Sequence, residues 1–283
     1  VFILVLGLSP STQNTPVNII FGAKISNANN ISTLLKALTF EESAVCFITH
    51  NGLKFTVEDS KCVQANAFIQ SEIFQNFSLS TEDPIMFSIK LNVLLDCLNI
   101  FGKSGISSFD ISPTLKMCFQ GHGYPLNLIL EESGIITECS INTCEAQDVL
   151  DFNFIATSVT AKIIMKAECL KDVFMDLDAS CEVIEIKVSP AEGIFQFSTR
   201  GNTGLNNIVI RKQSDLVEAF NCSDEVKASY KLSLLKHACK ALQLSQKVSL
   251  RINDRGMLCL QFMIKVDDGH ICFVEFFCCP EEV

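Results

Sequence analysis

The sequence predicts an α+β chain in which one antiparallel-sheet unit is written twice. Three observations predict it: hairpin signals along the whole length, four short helices that resemble one another, and a recurrence of matching landmarks at about 140 residues. With 283 residues, 48% of them hydrophobic, the chain can bury one large or two medium cores and is neither disordered nor fibrous.

The hairpins come first. Residues 44–50 and 53–58 are β-rich runs joined by Asn51-Gly52, the two-residue turn whose left-handed backbone suits strand twist. Residues 126–130 and 135–141 flank Glu131-Glu132-Ser133-Gly134. Residues 248–253 and 257–265 flank Asp254-Arg255-Gly256, and Asp267-Asp268-Gly269 leads into 271–278, so the last third reads as an antiparallel meander. Gly121-His122-Gly123 is too short for a phosphate loop and precedes a strand, so it reads as a turn.

Four short helices lie between the strands. The first carries Leu34-Leu35-Lys36-Ala37-Leu38, with Asn30 and Ser32 as cap candidates. The second spans 92–101, with Gly102 placed to stop it. The third, 168–177, sets Leu170, Val173, Phe174 and Leu177 at i, i+3, i+4, i+7 on one face. The fourth is 233–242. Leu38 to Leu177 is 139 residues, Leu94 to Leu234 is 140 and Gly52 to Gly193 is 141, which reads as an internal duplication. The expected organisation is an N-terminal segment 1–16, a first domain 17–141, an acidic linker 142–151 and a second domain 152–283.

Composition limits the function. Thirty-two acids against 22 bases leave a net charge of −10, which opposes coating a duplex through a broad basic surface. Any contact with nucleic acid then needs a local face or partners. Twenty-two Phe beside two Tyr and no Trp fit aromatics used as core filling. The fourteen cysteines sit at strand-like positions such as Cys46, Cys118, Cys181 and Cys272. With no Cys-x-x-Cys and no finger-like Cys/His spacing, they read as buried free thiols in a reducing compartment. Cys278 and Cys279 are strand neighbours facing opposite ways. Residues 1–8 are apolar like the middle of a leader, without an initiating Met or basic start; they are too short to span a bilayer, and no other segment reaches about 18 apolar residues. A truncated leader and an artefact both fit this run; segment 1–16 is expected to be disordered or artefactual, and no membrane partner is expected.

Catalytic patterns are sparse. Metal-dependent exonucleases hold paired carboxylates, often beginning with Asp-x-Glu on a strand; here the nearest candidates are Asp176 with Asp178 at a helix end and Asp148 with Asp151 in the linker. No Gly-x-Ser-x-Gly is present. No catalytic residue, metal or cofactor is expected. The basic residues are more suggestive: Lys36, Lys171, Lys236 and Lys240 lie on three of the four helices, and Lys103 follows the other. Helices lining one side of a sheet would turn these lysines into a sparse positive stripe suited to phosphates without base readout.

Two similar halves with two helices each resemble the PCNA-like sliding clamps. Asn51-Gly52-Leu53-Lys54-Phe55-Thr56-Val57-Glu58 and Lys61-Cys62-Val63-Gln64-Ala65-Asn66-Ala67-Phe68-Ile69-Gln70 are similar to the Rad-one subunits of the heterotrimeric DNA-damage checkpoint clamp, the nine-one-one ring. So are Leu94-Leu95-Asp96-Cys97-Leu98, Gly123-Tyr124-Pro125-Leu126 and Asp268-Gly269-His270-Ile271-Cys272-Phe273-Val274-Glu275 with Cys278-Cys279-Pro280. The resemblance runs in register over residues 17–282; the apolar residues 1–8 depart from the polar start of that family.

The resemblance implies a duplicated clamp fold with antiparallel sheets outside and two helices per domain on the inner face. It implies a nuclear ring of three different subunits, placed on DNA by a clamp loader, that supports checkpoint kinase activation and recruits repair enzymes. DNA threads through such a ring without sequence specificity, so an acidic chain needs only a few inner lysines. By position the DNA-facing residues are Lys36, Lys103, Lys171, Lys236 and Lys240, with Asp96 and Asp172 where the homotrimeric clamp is basic. The partner-peptide pocket under the linker would involve Val63, Val149, Leu150, Met257, Phe277 and Pro280. Subunit edges fall on 134–142, with Ile135, Ile136 and Ile141, and on 203–210, with Leu205, Ile208 and Ile210. Some descriptions of the family mention 3'-5' exonuclease activity, the main alternative to a non-catalytic subunit; a generic interaction scaffold is a third.

Overall fold

The computed structural model describes residues 19–101, 112–152, 154–178, 180–201, 204–267 and 269–281. Segment 1–16 and Lys103 lie outside these residues. In the first half the order is β1 (Phe21–Ile25), α1 (Ala28–Lys36), β2 (Ser43–Thr49), β3 (Gly52–Asp59), β4 (Val63–Gln70), β5 (Asn76–Leu79), β6 (Ile85–Lys90), α2 (Leu91–Leu98), β7 (Thr114–Phe119), β8 (Leu126–Glu132) and β9 (Ile135–Ile141). The second half repeats it: β10 (Val159–Lys166), α3 (Ala167–Asp176), β11 (Val183–Ser189), β12 (Ile194–Gly201), β13 (Gly204–Arg211), β14 (Val217–Cys222), β15 (Val226–Lys231), α4 (Leu232–Leu235) with α5 (Cys239–Leu244), β16 (Lys247–Asn253), β17 (Leu258–Lys265) and β18 (Ile271–Cys278).

Each half folds into one five-stranded and one four-stranded antiparallel piece. The first half's five-stranded piece, β5-β1-β7-β8-β9, stands alone, as does the second half's four-stranded piece, β13-β12-β11-β15. The other two pieces join through β18 and β4 into one nine-stranded sheet, β14-β10-β16-β17-β18-β4-β3-β2-β6. Alternation drives this arrangement. In β18 every second residue from Cys272 to Cys278 is buried, while Phe273, Glu275 and Phe277 face outward. The helices cover the inward face: α1 packs on α2, α3 on α5, and α1 on α5 across the seam between halves.

Local chemistry corrects the cap assignment. Asn27, extended at φ −133°, caps α1 by accepting the Asn29 N–H at 2.8 Å, whereas Asn30 and Ser32 are buried inside the helix. The fourth helix is not continuous, because Lys236–Ala238 forms a tighter 3-10 turn between α4 and α5. The i, i+4 relation of Lys236 and Lys240 therefore does not follow an ideal helix face. Between the halves, Cys144 exchanges hydrogen bonds of 2.9 Å with Ser88 of β6 before the chain crosses to β10.

Candidate functional site

Among the edge strands of the three sheets, β9 and β13 are the two whose repeats, β18 and β4, pair with each other within the chain. Ile135 and Ile136 on β9 are 62% and 61% exposed, and Leu205 and Val209 on β13 are 56% and 48% exposed. Ile141 is instead buried in the core, and Ile208 and Ile210 are half-buried against it. The repeat makes these edges counterparts of the joined pair. β8–β9 sets Leu130 opposite Thr137 as β17–β18 sets Phe262 opposite Val274, and β12–β13 sets Phe197 opposite Ile208 as β3–β4 sets Phe55 opposite Ala67. In the seam, Val274 stands opposite Ala67. A cleft of about 520 Å³ runs between α3 and β13, lined by Cys169, Asp172, Val173 and Asp176 on one side and Ile208 and Ile210 on the other. At the matching place in the first half, beside α1 and β4, α5 packs against α1.

The lysines of the helix face serve two purposes. Lys36, in the last turn of α1, and Lys236 are exposed. Lys240 donates from Nζ to the Thr39 carbonyl at 3.0 Å and to its Oγ1 at 2.7 Å, tying the second half's helix to the first half. Lys171 donates to the carbonyls of Gln243 and Ser245 at 3.3 and 3.5 Å, at the negative end of α5. Acids alternate with these bases: Asp96 on α2, and Glu168, Asp172 and Asp176 on α3. Two of the four described lysines, Lys171 and Lys240, are thus engaged within the chain, and acids share the helices with them. Asp178 of the candidate carboxylate pair is engaged by the Ser180 N–H at 2.9 Å and its hydroxyl at 2.7 Å. Those bonds, with a smaller contribution from the Lys236 charge, hold its carboxyl below the usual range. Among the described residues, no three His, Cys, Asp or Glu side chains converge as a metal site would require.

Beneath the linker the residues expected to form a pocket separate into core and cover. Val63 is fully buried opposite Cys278, and the period of two turns its neighbour Gln64 outward instead. Gln64 Nε2 donates to Glu58 Oε1 and to the Leu150 carbonyl, both at 2.7 Å, and the Leu150 N–H donates to Glu58 Oε1 at 2.8 Å. Leu150 is exposed, while Val149, Met257, Phe277 and Pro280 are half-buried. The outward ring of Phe277 is flanked by Phe152 and Phe154 at centroid distances of 6.2 and 5.7 Å. The Arg251 guanidinium lies 5.6 Å from the Phe154 centroid and pairs with Glu275 at 3.2 Å. Sequence reasoning missed Gln64, Glu58, Arg251, Phe152 and Phe154. The Phe-x-Phe spacing and the outward phase of β4 were the available signals.

The seam between halves also carries an ionisable contact. His237 Nε2 lies 3.0 Å from Asp59 Oδ2, and its ring stacks on Phe40 at 4.6 Å. The Ser60 hydroxyl and then His237 hold the Asp59 carboxyl below its ordinary value of 3.8. A depressed carboxyl contributes stability that is present above its unfolded value and is lost as pH falls through the folded one. Thermal midpoints measured from about pH 5 down to about pH 3 should therefore fall further for the native chain than for Asp59→Asn. Parallel curves would show that the contact contributes nothing to acid sensitivity.

Comparison with known proteins adds a second line of evidence. Residues 20–264 match the family described as "Repair protein Rad1/Rec1/Rad17". The chain is 52% identical over 260 residues to the human "Cell cycle checkpoint protein RAD1", covering 92% of this chain and 91% of that protein. It is 33% identical over 279 residues to the fission yeast "DNA damage checkpoint control protein rad1", covering 92% and 86%. It is also 24% identical over 232 residues to the "DNA repair exonuclease REC1" of Mycosarcoma maydis, covering 64% of this chain and 50% of that protein.

Proposed function

The chain belongs to the Rad1/Rec1/Rad17 family of repair proteins, and from that premise we propose that it is a non-catalytic subunit of a checkpoint clamp that encircles DNA at damage sites. The observation that carries this reading is the incomplete pairing of the four sheet pieces. One five-stranded and one four-stranded piece are joined within the chain at β18 and β4, while their repeats end in the open edges β9 and β13. Two different, complementary edges make a head-to-tail contact, and head-to-tail contacts close into rings when the rotation permits. The joined seam supplies the register. Thr137 would face the partner position that corresponds to Ile208, and Ile136 the one that corresponds to Val209. The cleft beside α3 would receive a neighbour's second helix, as α1 receives α5 within the chain.

The partners are two other clamp subunits, a clamp loader, and repair and checkpoint proteins, in the nucleus. Domains 17–141 and 152–283, joined by the linker 142–151, would each contribute two helices to the inner wall. Threading makes retention on DNA topological, so the thin stripe of Lys36, Lys171, Lys236 and Lys240 suffices despite a net charge of −10. The exonuclease reading rests on the name of the REC1 relative. Against it, the Asp178 carboxylate is already occupied by Ser180 at a helix end.

Native mass measurement on the chain purified from its own cells tests the reading. An assembly near three chain masses containing two different clamp-sized partners is expected. A homotrimer would retain the clamp fold and overturn the subunit assignment, and a solitary chain at high concentration would overturn ring membership.

A further inference from the structure

All fourteen cysteines are free thiols, but two of them are placed to react with each other. The β18–β4 ladder ends with Cys278 opposite Val63. One residue further, the Cys279 N–H donates to the Cys62 carbonyl at 2.8 Å while the Cys62 N–H turns to the Asp59 carbonyl, so a single bond beyond the ladder sets Cys279 opposite Cys62. Opposed residues of a hydrogen-bonded antiparallel pair stand about 5.5 Å apart at Cα with side chains on one face. That separation lies within the span of about 4.4–6.8 Å that a disulfide bridges. Both side chains are half-buried and open to small reagents, whereas Cys278 faces the core and is fully buried.

We propose that Cys62 and Cys279 form a reversible disulfide, closed by a hydroperoxide, that rivets the two halves of the chain together. The Cys62 thiolate attacks the outer peroxide oxygen; the O–O bond breaks and the leaving alkoxide or hydroxide takes a proton. The Cys279 thiolate then attacks the resulting sulfenic sulfur, the S–O bond breaks, water leaves and the S–S bond forms. Two thiols lose two electrons and two protons, and the peroxide gains them. Burial first, and then the neighbouring Cys62 sulfur, push the Cys279 thiol up, which disfavours its thiolate as the first attacker. The bridge would lie beside Gln64 and Phe277, where the linker crosses the seam. On the free edge β9 the repeat puts Asn142 at the position of Cys279, so this modification distinguishes the internal seam from a ring seam.

The test is hydrogen peroxide treatment of the full chain, followed by alkylation and peptide mapping without reductant. The expected product is a cross-linked pair of peptides containing Cys62 and Cys279, lighter by two hydrogens, with both thiols lost from the alkylated pool and recovered after dithiothreitol. In Cys279→Ser the cross-link is lost, and a sulfenic acid at Cys62 becomes trappable with dimedone. Recovery of both thiols fully alkylated, at a peroxide dose that oxidises the exposed Cys144, would overturn the proposal. Cross-linking of either cysteine to a different partner would overturn it equally.

Discussion

Ile136→Asp is expected to weaken ring assembly about 10- to 100-fold while leaving the chain folded. Ile136 is 61% exposed on the free edge β9 and lies outside the core, so the substitution should change folding stability by no more than about 0.5 kcal/mol. In an assembled seam the same position would be half-buried on the outward face, as its counterpart Phe273 is opposite Phe68 in the internal seam, so an aspartate forfeits apolar contact with the partner strand; a loss of about 1.4–3 kcal/mol weakens binding about 10- to 100-fold. Val209→Asp, on β13, should break the contact with the other neighbour while sparing the first. Size-exclusion chromatography of co-expressed subunits, with circular dichroism of the isolated chain, separates the two effects. Normal assembly of both variants would remove the edges from the proposed interface.

Gly52→Ala is expected to be the most destabilising of small substitutions. Gly52 opens β3 at φ +128°, opposite Thr49 of β2 and Gln70 of β4 in the nine-stranded sheet. A Cβ there would stand 2.1 Å from the Ile69 carbonyl oxygen and 2.8 Å from the Ser71 nitrogen. Both obstacles are backbone, so relief requires parting β3 from β4. The expected loss is about 3–4 kcal/mol, combining left-handed strain with a broken ladder. Gly134 provides the control: its φ is +81°, but nothing lies within 4 Å of the added carbon. Gly134→Ala should therefore lose only the conformational term, about 1–2 kcal/mol. Urea unfolding of the two variants decides the matter, and equal losses would show that the close approach at Gly52 is unimportant.

The contrast between these glycines shows what the sequence made legible. Asn51-Gly52 announces a turn and alternation on either side fixes the strand phase, so the hairpin was legible, but the loop is one residue earlier, at His50-Asn51, with Gly52 already opening β3 opposite Thr49. The 140-residue recurrence likewise exposed the duplication. Chain order alone does not say which pieces join; that β18 meets β4 while β9 and β13 stay open is a long-range fact. The resemblance puts Val63 in an outer pocket by position, yet strand phase turns Val63 inward and Gln64 outward. The cap of α1 was missed by one turn, since Asn27, Asn30 and Ser32 are all plausible caps by residue type and only the backbone at Asn27 is extended. Lysine positions were legible, but their engagement with distant helix-end carbonyls was not, because Lys240 and Thr39 lie 201 residues apart.

The nine-stranded sheet has a mechanical consequence. A linker between two domains ordinarily suggests a hinge, but here strands from both halves share one hydrogen-bonded ladder, reinforced by Lys240 on Thr39 and His237 on Asp59. Bending the chain at its middle would shear that ladder, so the two halves move as one stiff body. In the proposed ring, any opening that admits DNA would then fall at a joint between chains, and this subunit would contribute leverage rather than compliance.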